Sequence, residues 1–98
     1  MSVSLRILSS VYEEVTSAFV YYENLSSGLG DRFLENIDTM YQYIVDFPLM
    51  YSINFDDVHR TVLTEFPYAI FYTYEREEVT IHAIRHTKQD PRNLPKRN

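Results

Sequence analysis

The sequence predicts an α+β fold in the order β-α-α-β-β-β, with a helical hairpin packed on a mainly antiparallel sheet. Three patterns support this prediction: strand-like segments between residues 58 and 85, two helical stripes of apolar residues before them, and a short alternating segment at the start. Because 98 residues, 45% of them apolar, suffice for one core, we expect a single domain over residues 1–91. Residues 92–98 are expected to form a basic, loosely ordered tail.

The N-terminal half is predicted to contain one strand and two amphipathic helices. Val3, Leu5 and Ile7 alternate with polar residues, as in a strand with one buried face. Ser10 and Glu13 have the spacing of a capping box, which predicts the start of a helix. Apolar residues then follow at helical spacing, in the first helix at Val11, Val15, Ala18, Phe19 and Tyr22, and in the second at Phe33, Ile37, Met40, Tyr41 and Ile44.

Glycine and proline set the predicted limits of the second helix. Residues 25–30 include two glycines and two serines, so they connect the helices, and the second helix begins near Leu29. Pro48 ends it, because the residue before a proline is disfavoured in the helical conformation. Residues 49–57 are too apolar for a free loop, and we expect them to pack as an extra short strand.

The C-terminal half is predicted to be an antiparallel meander of three strands. Residues 58–65, 68–74 and 79–85 are rich in β-branched and aromatic side chains. Pro67 marks the first connection, since it has no N–H for a strand ladder, and the polar residues 75–78 form the second.

Charge and composition limit the possible classes of function. The net charge is −5, and the acidic excess lies in residues 1–84, which carry thirteen acidic and four basic side chains. This part of the chain therefore repels nucleic acid at long range. No apolar segment is long enough to span a bilayer and there is no cysteine, so we expect a soluble cytoplasmic protein. His59 and His82 lack acidic partners at metal-ligand spacing, so we expect neither a metal nor a cofactor.

Several short motifs occur together in a fixed order along the chain. They are Tyr21-Tyr22-Glu23, Gly28-Leu29-Gly30-Asp31-Arg32-Phe33, Pro48, His59-Arg60, Phe66-Pro67-Tyr68-Ala69-Ile70-Phe71-Tyr72 and His86-Thr87-Lys88-Gln89-Asp90-Pro91. With these motifs the chain resembles the RelE/ParE superfamily of bacterial type II toxins, in particular the ParE-like plasmid-stabilisation branch. The resemblance implies the same β-α-α-β-β-β fold that the periodicity predicts.

The resemblance implies two activities for a free toxin. A ParE-like protein is a non-catalytic binder of a cellular target such as DNA gyrase, and a cognate antitoxin neutralises it by folding its C-terminal segment onto it. We expect Tyr51, Phe55 and Tyr72 to line an apolar groove for that segment. A third interpretation is a solitary, non-toxic relative that acts as an interaction module.

The second implied activity is ribosome-dependent cleavage of mRNA, as in RelE. In that case Arg60 and Arg85 would hold phosphate and His86 would be an acid or base. Residues 51–54 contain no lysine where RelE proteins have theirs, and no tyrosine follows Tyr74, so the non-catalytic binder is preferred.

Structural roles compete for the same residues. The arginines can pair with Glu65 and Glu78, and the ring of His86 can bond the backbone of its turn. An up-down-up meander is also expected to place Arg60 and Arg85 at opposite ends of the sheet. Three tyrosines, Tyr12, Tyr22 and Tyr41, lie on or beside the helix stripes that face the sheet, and most of the tyrosines are expected to belong to the core.

Overall fold

The computed structural model of the protein describes residues 2–51 and 53–89, so the predicted tail lies outside the described residues. The elements are β1 (Ser4–Ile7), α1 (Ser9–Leu25), α2 (Leu29–Asp46), β2 (Ile53–Phe55), β3 (Val58–Val62), β4 (Tyr68–Glu75) and β5 (Glu78–His86). This order confirms the predicted α+β fold, and β2 is the extra short strand expected between α2 and the meander.

The strands form one five-stranded sheet in the order β1-β5-β4-β3-β2. β1 pairs parallel with β5, and the other three pairings are antiparallel, so β3, β4 and β5 form the predicted meander. A register shift in β5 pairs Ile81 with Tyr72 and Ala83 with Phe71, which leaves His82 as an extra residue. This bulge lets Ile81 and Ile84, three positions apart, both enter the main core.

The main core lies between the helical hairpin and one face of the sheet. All five residues of the predicted α2 stripe are buried or half-buried, and the α1 stripe is likewise turned inward. Tyr22 is buried and Tyr41 half-buried, as expected, but Tyr12 is 59% exposed, so its predicted place in the core is wrong. Leu5 is 39% exposed because β1 is an edge strand whose inner face is only partly covered.

The start of α1 differs from the predicted capping box. Ser10 lies inside the helix, Leu8 is the N-cap residue, and no side chain caps this end. Leu8 continues from β1, and its carbonyl accepts the N–H of Val11 at 2.9 Å. The direct passage from β1 into α1 therefore leaves Ser10 two positions too late to act as the cap.

The junction between the helices depends on one carboxylate and two glycines. The two oxygens of Glu23 accept the N–H groups of Gly28 and Gly30, each at 3.0 Å, and so satisfy the start of α2 from the preceding helix. Gly28 has φ +88°, a conformation that favours glycine. A Cβ on Gly30 would lie 2.7 Å from the ring of Phe19, so the close approach of α1 and α2 also requires glycine there.

Candidate functional site

The strand positions of Arg60 and Arg85 belong to the face of the sheet that the helices do not cover, here called the outer face. Arg60 pairs with Phe71, and Arg85 pairs with Ala69. Phe71 and Ala69 belong to a second apolar cluster with Ala83, separate from the main core. Because cross-strand partners share a face, both arginines start from the outer face.

The register corrects the expectation that these arginines stand at opposite ends of the sheet. Arg60 and Ala83 both pair with Phe71, so Arg60 lies level with a residue only two positions before Arg85. This follows because β3 is short and pairs only with the N-terminal half of β4. Two strand spacings across and two residues along separate their Cα atoms by roughly 12 Å. Their backbone positions are thus neighbours on one face, although Arg85 turns its side chain towards the sheet edge.

The side chain of Arg85 is held by α1. Its Nε donates to one oxygen of Glu14, and the other oxygen accepts the N–H of Ile84 at 2.9 Å. Both charged side chains are about one-fifth exposed, at 19% and 21%. Glu14 therefore binds β5 beyond the end of its pairing with β1. The sequence suggested Glu65 as a partner, but Glu65 pairs with Arg32 at 2.9 Å.

Successive residues of a strand point to opposite faces, so His86 starts from the face opposite to the strand position of Arg85. It pairs with Tyr68, whose ring lies 5.3 Å away in an edge contact and packs against the main core. The Nδ1 atom of His86 accepts the N–H of Lys88 at 3.1 Å, which fixes the turn after β5. The predicted backbone-bonding role is confirmed. Arg60 starts from the outer face and His86 from the face that carries Tyr68, so these two side chains leave the sheet on opposite faces.

The residues expected to line an antitoxin groove have different positions. Tyr72 is 0% exposed, so it lies beneath the surface, and this expectation of a direct contact does not fit its burial. Tyr51 is half-buried, and its carbonyl lies 2.7 Å from Nδ1 of His59. Phe55 ends β2, and its side chain lies outside the described part of the structure.

Tyr72 and His59 together fix the segment between α2 and β2. Their rings stack with centroids 4.9 Å apart, and the hydroxyl of Tyr72 donates to the carbonyl of Pro48 at 2.7 Å. Burial, with a smaller contribution from Tyr51, raises the pKa of Tyr72 to about 12, so the hydroxyl remains a donor throughout the physiological range.

This pKa predicts a loss of stability in alkaline solution. Below pH 10 the Tyr72 hydroxyl is protonated in both the folded and the unfolded chain. Between pH 10 and pH 12 the unfolded chain releases this proton and the folded chain retains it, so the free energy of unfolding falls as the pH rises. Relative to Tyr72→Phe, the wild-type chain is expected to lose about 1.4 kcal/mol between pH 8 and pH 11. Urea unfolding of both chains measures this, with Tyr43→Phe as the exposed control. A constant difference between wild type and Tyr72→Phe would contradict it.

An apolar groove lies on the helical hairpin beside β1, here called the hairpin groove. It has a volume of about 240 Å³ and is lined by Ile7, Val11, Tyr12, Val15, Leu34, Ile37, Asp38 and Tyr41. Exposed Tyr12 stands at its rim, and burial raises the pKa of Tyr41. Sequence reasoning missed this groove, although apolar residues beside the two stripes, such as Leu34, were a signal that the hairpin is apolar on more than its inner side.

The remaining histidine and the acidic residues give no metal centre. The ring of His82, the bulge residue, lies 2.9 Å from the hydroxyl of Thr73, and burial lowers its pKa. Among residues 2–51 and 53–89 no group of three or more His, Cys, Asp or Glu side chains is arranged to hold a metal ion. In the same residues no helix has the length and apolarity needed to cross a membrane.

Comparison with known proteins gives a consistent result. The profile of the family described as "ParE toxin of type II toxin-antitoxin system, parDE" matches residues 5–91. A structure of the chromosomal ParDE system from P. aeruginosa superposes with a TM-score of 0.77 at 12% identity, covering 87% of this chain and 96% of that one. A mutant of the E. coli toxin RelE in the free state superposes with a TM-score of 0.59 at 13% identity, covering 90% and 86%. No curated protein sequence matches significantly.

Proposed function

Because the chain belongs to the family of ParE toxins of type II toxin–antitoxin systems, we propose that it binds a cellular target and is neutralised by a cognate antitoxin. The proposed target is DNA gyrase. The proposed antitoxin site is the hairpin groove, where an apolar segment of the antitoxin folds onto α1 and α2. The observation that carries this proposal is the groove itself, an apolar depression where α1, α2 and β1 meet, lined by core residues and by partly buried apolar side chains.

The lining of the hairpin groove suits a helix or short apolar segment. Ile7, Val15 and Leu34 come from three different elements and are only partly buried in the free chain. Covering them removes apolar surface from water, which is the main source of affinity when a disordered segment folds on binding. Tyr12 offers a large, exposed aromatic anchor at the rim, the type of residue that contributes most to interface stability.

The test of the antitoxin site is one substitution with a matched control. Tyr12→Asp is expected to weaken the complex with the antitoxin encoded beside this chain by about 30-fold, because it places a charge in an apolar interface. Tyr21→Asp alters the same helix at a residue of equal exposure, 59%, outside the groove, and is expected to leave affinity unchanged. Calorimetric titration measures both. A complex equally sensitive to the two changes would refute the site, and absence of any complex would refute the antitoxin.

The target is tested separately by inducible expression without the antitoxin. A gyrase-binding toxin is expected to arrest growth and induce the DNA-damage response while translated messages stay intact. New cuts in those messages would instead support the mRNA endonuclease. The separation of His86 from Arg60 and the ion pair of Arg85 with Glu14 weigh against that alternative. Harmless overexpression would support the non-toxic interaction module.

A further inference from the structure

A second apolar surface lies at the far end of α2, here called the distal surface. It is formed by Tyr43, Phe47, Leu49, Met50 and Ile53, which are 48%, 56%, 72%, 60% and 59% exposed. The N–H of Phe47 donates to the carbonyl of Tyr43, and the N–H of Met50 donates to that of Phe47. Tyr43 and Phe47 are four positions apart at the end of α2, and Leu49 and Met50 follow within the next turn, so these exposed apolar residues lie close together along the chain. Large contiguous apolar patches on a soluble domain mark interaction sites.

The distal surface is held rigidly by the core beneath it. The hydroxyl of Tyr72 binds the carbonyl of Pro48, and the ring of His59 binds the carbonyl of Tyr51, at 2.7 Å in each case. Both anchoring side chains are buried, at 0% and 6% exposure, and stacked on each other. Leu49 and Met50 lie between these two anchors, so their backbone is ordered before any partner arrives. Such preorganisation lowers the entropic cost of binding.

Two exposed carboxylates, those of Asp46 and Asp56, lie next to these residues along the chain. The last turn of α2 contains Asp46 and no basic residue, so the negative end of the helix dipole is reinforced. Asp56, in the turn between β2 and β3, is exposed and adds a carboxylate beyond Ile53. Nucleic acid and anionic lipid are repelled by such a surface, and a second copy of the chain would bring identical negative charges together.

From this combination we propose that the distal surface docks a cationic segment of a partner protein, with Lys or Arg flanking apolar anchors. The site is distinct from the hairpin groove. Tyr43 lies two positions from Tyr41 along α2, a rotation of about 200°, so the two tyrosines face different sides of the helix. The proposal is independent of the antitoxin site, because it concerns a surface that stays open when the hairpin groove is filled.

The experiment uses two synthetic 14-residue amphipathic peptides with the same leucines, one with lysines and one with glutamates on the polar face. Binding to the isotope-labelled full chain is followed by NMR. The lysine peptide is expected to shift the signals of Tyr43, Phe47, Met50 and Ile53, and the glutamate peptide to bind at least about tenfold more weakly.

Matched variants test whether the apolar residues carry the binding. Leu49→Ser with Met50→Ser is expected to weaken the lysine peptide by about tenfold or more, since it removes two exposed anchors without touching the core. Val20→Ser with Leu25→Ser removes comparable exposed apolar residues from α1 and is expected to change affinity less than about twofold. Thermal melting checks that all chains are folded.

The contrary outcomes are equally specific. Shifts centred on Tyr12 and Tyr41, or equal loss of affinity in both double variants, would overturn the proposal. So would equal binding of the two peptides. Concentration-dependent dimerisation of the free chain that Leu49→Ser with Met50→Ser abolishes would assign the surface to a second copy. Binding to phosphatidylserine vesicles through these residues would assign it to a membrane.

Discussion

Replacing Phe33 by alanine is expected to lower the free energy of unfolding by about 3–5 kcal/mol, the usual cost of removing a large aromatic ring from a closed core. Phe33 is 0% exposed, and its ring lies 5.3 Å from those of Tyr22 and Phe66 and 5.2 Å from that of Tyr68. These rings come from both helices, β4 and the connection before it. The substitution therefore removes packing between the hairpin and the sheet, and the expected cost is a large fraction of the stability of a small domain.

Chemical denaturation of three variants tests this prediction. Phe33→Leu keeps most of the volume and is expected to cost less than half as much as Phe33→Ala. Val20→Ala, at an exposed position of α1, is expected to stay within about 0.5 kcal/mol of wild type. A loss below about 1.5 kcal/mol for Phe33→Ala would mean that the surrounding rings collapse into the space and that the aromatic cluster is not a rigid unit.

The second large effect is expected at Glu14. Glu14→Ala should cost about 2–4 kcal/mol, because it removes a carboxylate that pairs with the largely buried Arg85 and also accepts the N–H of Ile84. Glu13→Ala, the exposed neighbour on the same helix, is the control and is expected to change stability by less than about 0.5 kcal/mol.

A double-mutant cycle separates the ion pair from other contacts. Comparison of the wild type, Glu14→Ala, Arg85→Ala and the double variant is expected to give a coupling energy of about 1–3 kcal/mol, because the Glu14–Arg85 ion pair is only about one-fifth exposed. A coupling energy near zero would show that the ion pair with Glu14 adds little to stability, so that giving it up for phosphate would cost the fold little. The cycle therefore also bears on the alternative in which Arg85 binds phosphate.

Patterns along the chain were sufficient for the architecture. The stripe of α2 from Phe33 to Ile44, the proline after it and the alternation within β3, β4 and β5 are each local signals. Each side-chain period matches one backbone geometry, so burying the apolar residues selects a helix or a strand without reference to distant parts of the chain. The family motifs led to the same fold, and the match over residues 5–91 confirms the family.

The candidate site was much less predictable. Tyr12 and Tyr22 both lie on or beside the α1 stripe, yet one is 59% exposed and the other 8%, because the sheet covers only part of the hairpin. Tyr72 was expected to line the antitoxin groove as one of the aromatic residues, whereas the stacked His59 and the carbonyl of Pro48 enclose it. Which side of an amphipathic element is left open depends on the layer that packs against it.

The sequence by itself determined the order of elements, the two helix stripes and the family. Tertiary structure decided that Arg85 pairs with Glu14, 71 positions away, and that a bulge at His82 brings Ile81 and Ile84 into one core. It also decided that Leu49 and Met50 are held outward at a negatively charged end of the fold. Local periodicity is set by neighbouring residues, whereas partners and open surfaces depend on which distant segments the packed layers bring together.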